Sequence, residues 1–180
     1  MWPNGDRNQV RLMAAVLIGG SLIFAACANA GAGGNPKSPP APTTRARVLC
    51  QAVPHLDLLV VRRTDAFPQN HFRFSFPPVV TVSDPARVRD AGTALCALPK
   101  MPKGVFNCPA DFGIDYHLTF SAAGRSFRTV IVDATGCQQV QGLGPTRWVA
   151  RSPSFWQLLG EAMGLSNPTN ATFSGTGGNG

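Results

Sequence analysis

The sequence predicts an α+β fold: an antiparallel sheet with two helices packed on one face, in the order ββα-βββα, held by two disulfides. Three observations predict it. Several short runs alternate apolar and polar residues with the period of a strand, as in Tyr116-His117-Leu118-Thr119-Phe120. Two other segments space their apolar residues like helices, and a proline stands at the start of each. Four cysteines lie within the part of the chain that has these patterns.

The predicted strands come in two groups. In the first group, Leu56–Val61 is apolar and β-branched, and Phe72–Phe76 together with Val79–Val82 is predicted to form one strand interrupted by Pro77-Pro78. In the second group, a strand through Tyr116, Leu118 and Phe120 turns at Ala122-Ala123-Gly124 and returns. The returning strand spans residues 127–133, and residues 138–141 are predicted to add a short third strand.

Each group of strands is followed by a predicted helix. Asp84 can cap the first helix and Pro85 suits its first turn, where no N–H group is needed. Its apolar face contains Val88, Ala91, Leu95 and Leu98. Ser152-Pro153 is predicted to open the second helix in the same way, and Gly164 to close it. The apolar face of the second helix contains Phe155, Leu158, Leu159, Ala162 and Met163.

The N-terminal residues have the pattern of an export signal. Arg7 and Arg11 precede an uncharged apolar run over residues 12–26. This run is shorter than the about 20 apolar residues that a membrane-spanning helix needs. We therefore predict that residues 1–26 are a cleaved signal peptide.

Cys27 follows Phe24-Ala25-Ala26, and this short sequence resembles a bacterial lipobox. The resemblance implies that the sulfur of Cys27 receives a lipid and becomes the mature N-terminus. The expected partner is then the membrane, through the lipid anchor, and the expected location is the extracellular face of the cell membrane. Ala28-Asn29-Ala30 before Gly31 is an alternative cleavage site, which would give a secreted protein without a lipid.

The remaining chain is predicted to contain one folded domain. Residues 27–47 are rich in Gly, Pro and small polar residues, so we expect a lipid-anchored flexible linker. Residues 48–166 have the size of a single α+β domain. The small polar residues that follow predict a disordered tail over residues 167–180.

The cysteines support export. Cys27 is either lipidated or lost with the signal, which leaves an even number of cysteines in an exported chain and so predicts two disulfides. Four cysteines allow three pairings. Cys108 and Cys137 bracket the predicted second hairpin, which favours their pairing and leaves Cys50 with Cys96. No C-x-x-C motif and no histidine at metal-ligand spacing are found in the sequence, so no metal or other cofactor is predicted.

The charge restricts the classes of partner. The net charge of +7 could suit nucleic acid, but an exported protein rarely meets it and the arginines are scattered, so no nucleic-acid partner is predicted. An anionic envelope polymer or an extracellular protein is the expected partner. Trp148, Phe155 and Trp156 lie close together in the sequence; we expect Phe155 and one tryptophan in the core and the other tryptophan in a contact patch.

Two resemblances bear on function. The segments Cys108–Gly113, Leu118–Phe120, Gly136-Cys137 and Arg151–Trp156 resemble small exported actinobacterial proteins of unknown function. Residues 107–137 resemble the C-terminal half of the subtilisin-inhibitor-like family, whose members block serine proteases with a rigid loop around such a Cys-Pro. This second resemblance implies a possible inhibitory loop formed by Cys108, Pro109, Ala110 and Asp111, with Ala110 presented to the protease.

Three hypotheses about function follow. The first is a lipid-tethered, non-catalytic envelope domain that binds a partner through a basic, partly aromatic surface. The second is a secreted inhibitor of the subtilisin-inhibitor type. The third is a small extracellular hydrolase, for which Asp111, Asp115, Asp133 and His117 around one hairpin are the candidate cluster. No known catalytic motif is found in the sequence, so no catalytic residue is assigned and a non-enzyme is expected.

Overall fold

The computed structural model describes residues 48–176. The predicted signal peptide, Cys27 and the predicted linker lie outside the described residues. Between residues 48 and 176, no helix is long and apolar enough to cross a membrane.

An antiparallel sheet of seven strands forms the centre of the described domain and confirms the predicted fold class. Its strands follow the order β2-β1-β3-β5-β6-β7, and β4 pairs with the end of β3. The strands are β1 (Leu58–Asp65), β2 (Val79–Val82), β3 (Ile114–Ala122), β4 (Arg125–Ser126), β5 (Val130–Asp133), β6 (Gln139–Gln141) and β7 (Arg147–Trp148).

One face of the sheet forms the core. Because successive side chains of a strand point to opposite faces, one face collects the apolar residues. Eleven of these side chains are buried: Leu59, Val61, Val82, Ile114, Tyr116, Leu118, Phe120, Ala122, Val130, Val132 and Val140. The opposite face carries the polar residues of the same strands and is covered by no helix within residues 48–176.

The two predicted helices pack on the apolar face. Helix α1 (Pro85–Ala97) begins as predicted, because the Asp84 carboxylate accepts the N–H groups of Ala86 and Arg87. Its four predicted apolar residues are all buried. Helix α2 (Ser154–Ala162) packs against α1 and buries Phe155 and Trp156, but no side-chain hydrogen bond caps its start.

The predicted hairpin is confirmed, with a bulge on its returning side. Ala123 and Gly124 form its two-residue turn with φ angles of 49° and 72°, the left-handed values that such turns need. Ser121 pairs with Ser126, whereas Leu118 pairs with Val130, so the register shifts between β4 and β5. The shift divides the returning strand in two, as an extra residue in a ladder does.

The predicted disordered tail is wrong for residues 167–176. A third helix, α3 (Asn170–Ser174), packs on the apolar face of the sheet and buries Phe173 completely. The Phe173 ring lies 4.8 Å from the Trp156 ring and 5.2 Å from the Tyr116 ring, measured between centroids. The folded domain therefore extends past the predicted end at residue 166, because one aromatic side chain in a polar segment completes the core.

The prediction of one interrupted strand over residues 72–82 is also wrong. Only Val79–Val82 is a strand; within residues 72–76, Arg73 makes an isolated antiparallel bridge with Thr176. The phenylalanine rings of this segment pack instead against Arg63. The Arg63 guanidinium carbon lies 3.5 Å from the centre of the Phe74 ring, and the Arg63 Nη1 atom donates a hydrogen bond to the carbonyl of Phe76. The Pro77-Pro78 pair follows, and proline cannot donate to a sheet ladder.

Both preferred disulfides are confirmed, Cys50–Cys96 and Cys108–Cys137. The first joins the start of the described domain to α1. The second joins the segment before β3 to the segment after β5, so it fixes the approach to the central hairpin from both sides.

Candidate binding site

The segment between α1 and β3, which has no regular secondary structure, is fixed near both of its ends. Near its start, the N–H of Trp148 donates to the carbonyl of Pro99 over 3.0 Å, and the N–H of Met101 donates to the carbonyl of Thr146 over 2.9 Å. Near its end, Cys108 is linked to Cys137. The segment is therefore held against the β6–β7 edge of the sheet.

A groove lies between this segment and that edge. We call it the basic groove; it encloses about 700 Å³ and is lined chiefly by Lys100, Met101, Lys103, Phe106, Gln139 and Thr146. No Asp or Glu lines it. Within residues 48–176, the one ion pair within 4.0 Å joins Arg87 to Asp84, so neither lysine of the groove is neutralised by a carboxylate in contact. The groove therefore suits an anionic ligand.

Aromatic rings stand beside the lysines. The Phe106 and Trp148 ring centroids are 5.4 Å apart, and the guanidinium of Arg151 lies 5.0 Å from the Trp148 ring. The indole N–H of Trp148 donates to the carbonyl of Cys137 over 2.8 Å, which fixes the ring. Trp148 is half-buried, whereas Phe155 and Trp156 are buried in the core, in line with the predicted division of this aromatic set.

Lys100, Lys103 and Phe106 are not among the residues predicted from the sequence to form a site. The sequence does contain an indication of a basic loop here. Residues 99–104 read Pro-Lys-Met-Pro-Lys-Gly, and the two prolines and the glycine disfavour a helix or a strand around the two lysines. What the sequence does not reveal is that this run lies beside Trp148, because their proximity depends on the pairing of strands β6 and β7.

The structure brings together the three carboxylates of the predicted catalytic cluster. Asp115 and Asp133 are directly paired across β3 and β5. Burial, and then the charges of Asp115 and Asp111, raise the pKa of Asp133 to about 6. Burial and the Asp111 charge also raise the pKa of Asp115, although the nearby His117 opposes the shift.

This cluster lies apart from the cavities described for residues 48–176. The side chains of Asp115, His117 and Asp133 lie on the uncovered face of the sheet, and none of these residues lines any of the five cavities described within residues 48–176. The Nε2 atom of His117 is 3.2 Å from the Thr64 hydroxyl, and no group of three or more possible metal ligands is found in the described part of the chain.

The predicted inhibitory loop is hydrogen-bonded to the rest of the domain. Pro109 and Ala110 are exposed, and Asp111 accepts hydrogen bonds from the Thr135 hydroxyl and the Gly113 N–H. The carbonyl of Ala110 accepts the N–H of Gly136 over 3.2 Å. A serine protease binds the carbonyl that it attacks in its own oxyanion hole, so Ala110 would first have to leave Gly136.

No protein-family model, curated protein or solved structure matches this chain. The resemblance of residues 107–137 to the subtilisin-inhibitor-like family therefore rests on the sequence motif alone.

Proposed function

We propose that this chain is an exported cell-envelope lipoprotein whose folded domain binds an anionic envelope ligand without catalysis. One observation carries the proposal: Lys100 and Lys103 line an open groove beside Phe106, and no carboxylate lines it. The Trp148 and Arg151 side chains next to the groove extend its basic and aromatic character.

Location at the envelope rests on the N-terminal pattern and on the disulfides. In the proposal, residues 1–26 are removed, Cys27 carries the lipid, and the domain faces the outside of the cell membrane. Two disulfides in a small domain are typical of an oxidising compartment. Secretion without a lipid, after cleavage at Ala30, keeps the same binding function and changes only the anchoring.

The expected ligand is a polymer that carries carboxylates or phosphates on sugar-like units. The two lysines attract such anions as mobile point charges, and the flat rings of Phe106 and Trp148 offer apolar surface to a sugar ring. Because the charges are exposed to solvent, binding should weaken as the salt concentration rises.

Binding of a soluble anionic polysaccharide, polygalacturonate, tests the proposal, with neutral dextran as the control ligand. The test protein is the mature chain, residues 27–180, with Cys27→Ser so that no lipid is attached. We expect Lys100→Glu combined with Lys103→Glu to lower the affinity for polygalacturonate at least about tenfold at low salt, as reversal of two ligand contacts should. Arg125→Glu combined with Arg128→Glu changes net charge equally at the exposed hairpin and should have a smaller effect.

An equal loss of affinity in the two charge-reversed proteins would contradict a specific groove and would leave only net charge as the cause.

Incorporation of labelled palmitate that is abolished by Cys27→Ser would support the anchor, and unchanged incorporation would refute it. Inhibition of subtilisin at micromolar concentration would favour the inhibitor hypothesis instead.

A further inference from the structure

A single apolar side chain projects fully into solvent at the outer edge of the basic groove. Val105 is 103% exposed, whereas the next most exposed large apolar side chain of the described residues, Val48, is 53% exposed. Gly104, immediately before it, adopts a φ angle of 140°, and a Cβ atom placed there would meet nothing within 4 Å. The bend around Val105 therefore stands clear of the rest of the domain.

The position of this bend is set by the fold. We call residues 99–107 the Val105 loop; its first residues are hydrogen-bonded to Thr146 and Trp148, and Cys108 directly after it is disulfide-linked. With both ends fixed, a binding partner would meet a loop that is already ordered, and less conformational entropy is lost on binding.

The surroundings of Val105 have the composition of a membrane-contact site. Lys100 and Lys103 precede the valine, Phe106 follows it, and no acidic residue lies within the Val105 loop. Lysines attract the phosphates of anionic lipids, and aromatic rings favour the level of the headgroups.

We propose that the Val105 loop docks the domain on an anionic lipid leaflet, with Val105 entering the boundary between headgroups and acyl chains. This inference rests on the proposed function, because it uses the two lysines of the basic groove for a second anionic ligand, the lipid leaflet. A bilayer suits the Val105 loop because it offers an apolar layer to a fully exposed valine, which a soluble polyanion does not. Lys100 and Lys103 contact lipid phosphates, and Phe106 lies at the level of the headgroups.

The contact is weak when the domain is free in solution. Burial of one valine contributes roughly tenfold in binding, and each lysine near an anionic surface roughly fivefold. The lipid on Cys27 would compensate for this weakness. Tethering a binding surface to its target gives an effective concentration up to the order of millimolar. The loop then orients a domain that the lipid keeps close to the membrane.

Vesicle flotation tests the inference on the mature chain, residues 27–180, with Cys27→Ser. The probes are vesicles containing equal parts of phosphatidylglycerol and phosphatidylcholine, and vesicles of phosphatidylcholine alone. We expect binding to the anionic vesicles only, and Val105→Ser to lower the partition coefficient about tenfold. Val79→Ser, which removes a 40% exposed valine from the edge strand, is the matched control and should change nothing.

Binding of polygalacturonate by the same proteins separates the two proposals. Val105→Ser should leave polymer binding unchanged, since the polymer needs the lysines and not the valine. Polymer binding without vesicle binding, or vesicle binding that Val105→Ser does not weaken, would overturn the membrane contact alone. If the Cys27→Ser chain binds neither polygalacturonate nor the anionic vesicles, the proposed function is overturned as well. Intact disulfides and an unchanged unfolding midpoint establish that each variant is folded.

Discussion

Asp115 on β3 and Asp133 on β5 face each other at a position where the two strands exchange no hydrogen bonds. The adjacent pair is the hydrogen-bonded one, because the N–H of Ala134 donates to the carbonyl of Ile114 over 2.9 Å. Side chains lie closest at the non-bonded positions of an antiparallel ladder. Two carboxylates are thus held side by side on the uncovered face of the sheet, where like charges oppose folding.

Stability should therefore fall as the pH rises through the range in which Asp133 ionises. The pKa of Asp133 is about 6 in the folded domain and 3.8 as its ordinary value. Between these values the folded state holds a proton that the unfolded chain has lost, so raising the pH favours unfolding. After allowance for solvent screening of this half-exposed group, the contribution is about 1–2 kcal/mol.

The measurement is the free energy of unfolding by urea at pH 4 and pH 7 for the native chain and for Asp133→Asn. Asparagine keeps an oxygen to accept the N–H of Gln139 but cannot ionise. The variant should gain stability relative to the native chain as the pH rises. Asp90→Asn, on the exposed side of α1, is the control, and an equal gain in that variant would argue against the ionisation of Asp133 as the cause.

Removal of the Tyr116 hydroxyl should detach α3 from the core. This hydroxyl donates to the carbonyl of Phe173 over 2.8 Å, and burial raises the pKa of Tyr116, so the donor proton is retained at neutral pH. Tyr116→Phe leaves the ring in place but leaves the buried carbonyl of Phe173 without this donor, which costs about 1–3 kcal/mol of stability. Hydrogen exchange should accelerate most for the amides of residues 170–174. Uniform acceleration throughout the domain would show that the hydrogen bond does not act locally.

Gly160→Ala should destabilise the domain more than Gly92→Ala. A Cβ atom at Gly160 would overlap the ring of Pro168, which leads the chain back toward α3. A Cβ atom at Gly92 would lie 2.8 Å from a methyl group of Leu56, at the end of a flexible side chain that can move. Overpacking against the rigid ring costs about 1–3 kcal/mol, whereas the helical preference of alanine offsets part of the cost at Gly92. Thermal unfolding of the two variants checks the order, and the reverse order would refute this assignment.

Loss of either disulfide should destabilise the domain by several kcal/mol. The Cys50–Cys96 bond closes a separation of 46 residues and Cys108–Cys137 one of 29. In the chain-entropy description these bonds are worth about 4.0 and about 3.6 kcal/mol. The free energy of unfolding by urea is measured for each double Cys→Ser variant and compared with that of the native chain. Only loss of Cys108–Cys137 should also weaken polygalacturonate binding, because only that bond holds the basic groove.

Local rules predicted the elements that carry their own signals. Asp84 and Pro85 predict the start of α1, and the spacing of Val88 and Leu95 predicts its buried face. The pairing of Cys108 with Cys137 was predictable because both residues flank one hairpin. In these cases the deciding interaction lies within a short stretch of chain.

The elements that the sequence did not predict depend on distant partners. Phe173 is a lone aromatic residue in a polar segment, and only the pocket between Tyr116 and Trp156 explains why it is buried. Residues 72–76 alternate as a strand does, but they do not form one. Their phenylalanine rings pack instead against Arg63, which lies on another element. The basic groove was missed for the same reason, since the edge of the sheet brings Lys100 and Trp148 together.

The burial of Phe173 also has a consequence for biogenesis. Until this residue has emerged from the ribosome, the rings that surround it lack their packing partner, and the hydrophobic core on the sheet is incomplete. A polypeptide that is threaded through an export channel must remain unfolded, and late completion of the core would help to keep it so. Under the proposed export, folding would be completed on the far side of the membrane, where the thiols can also become oxidised.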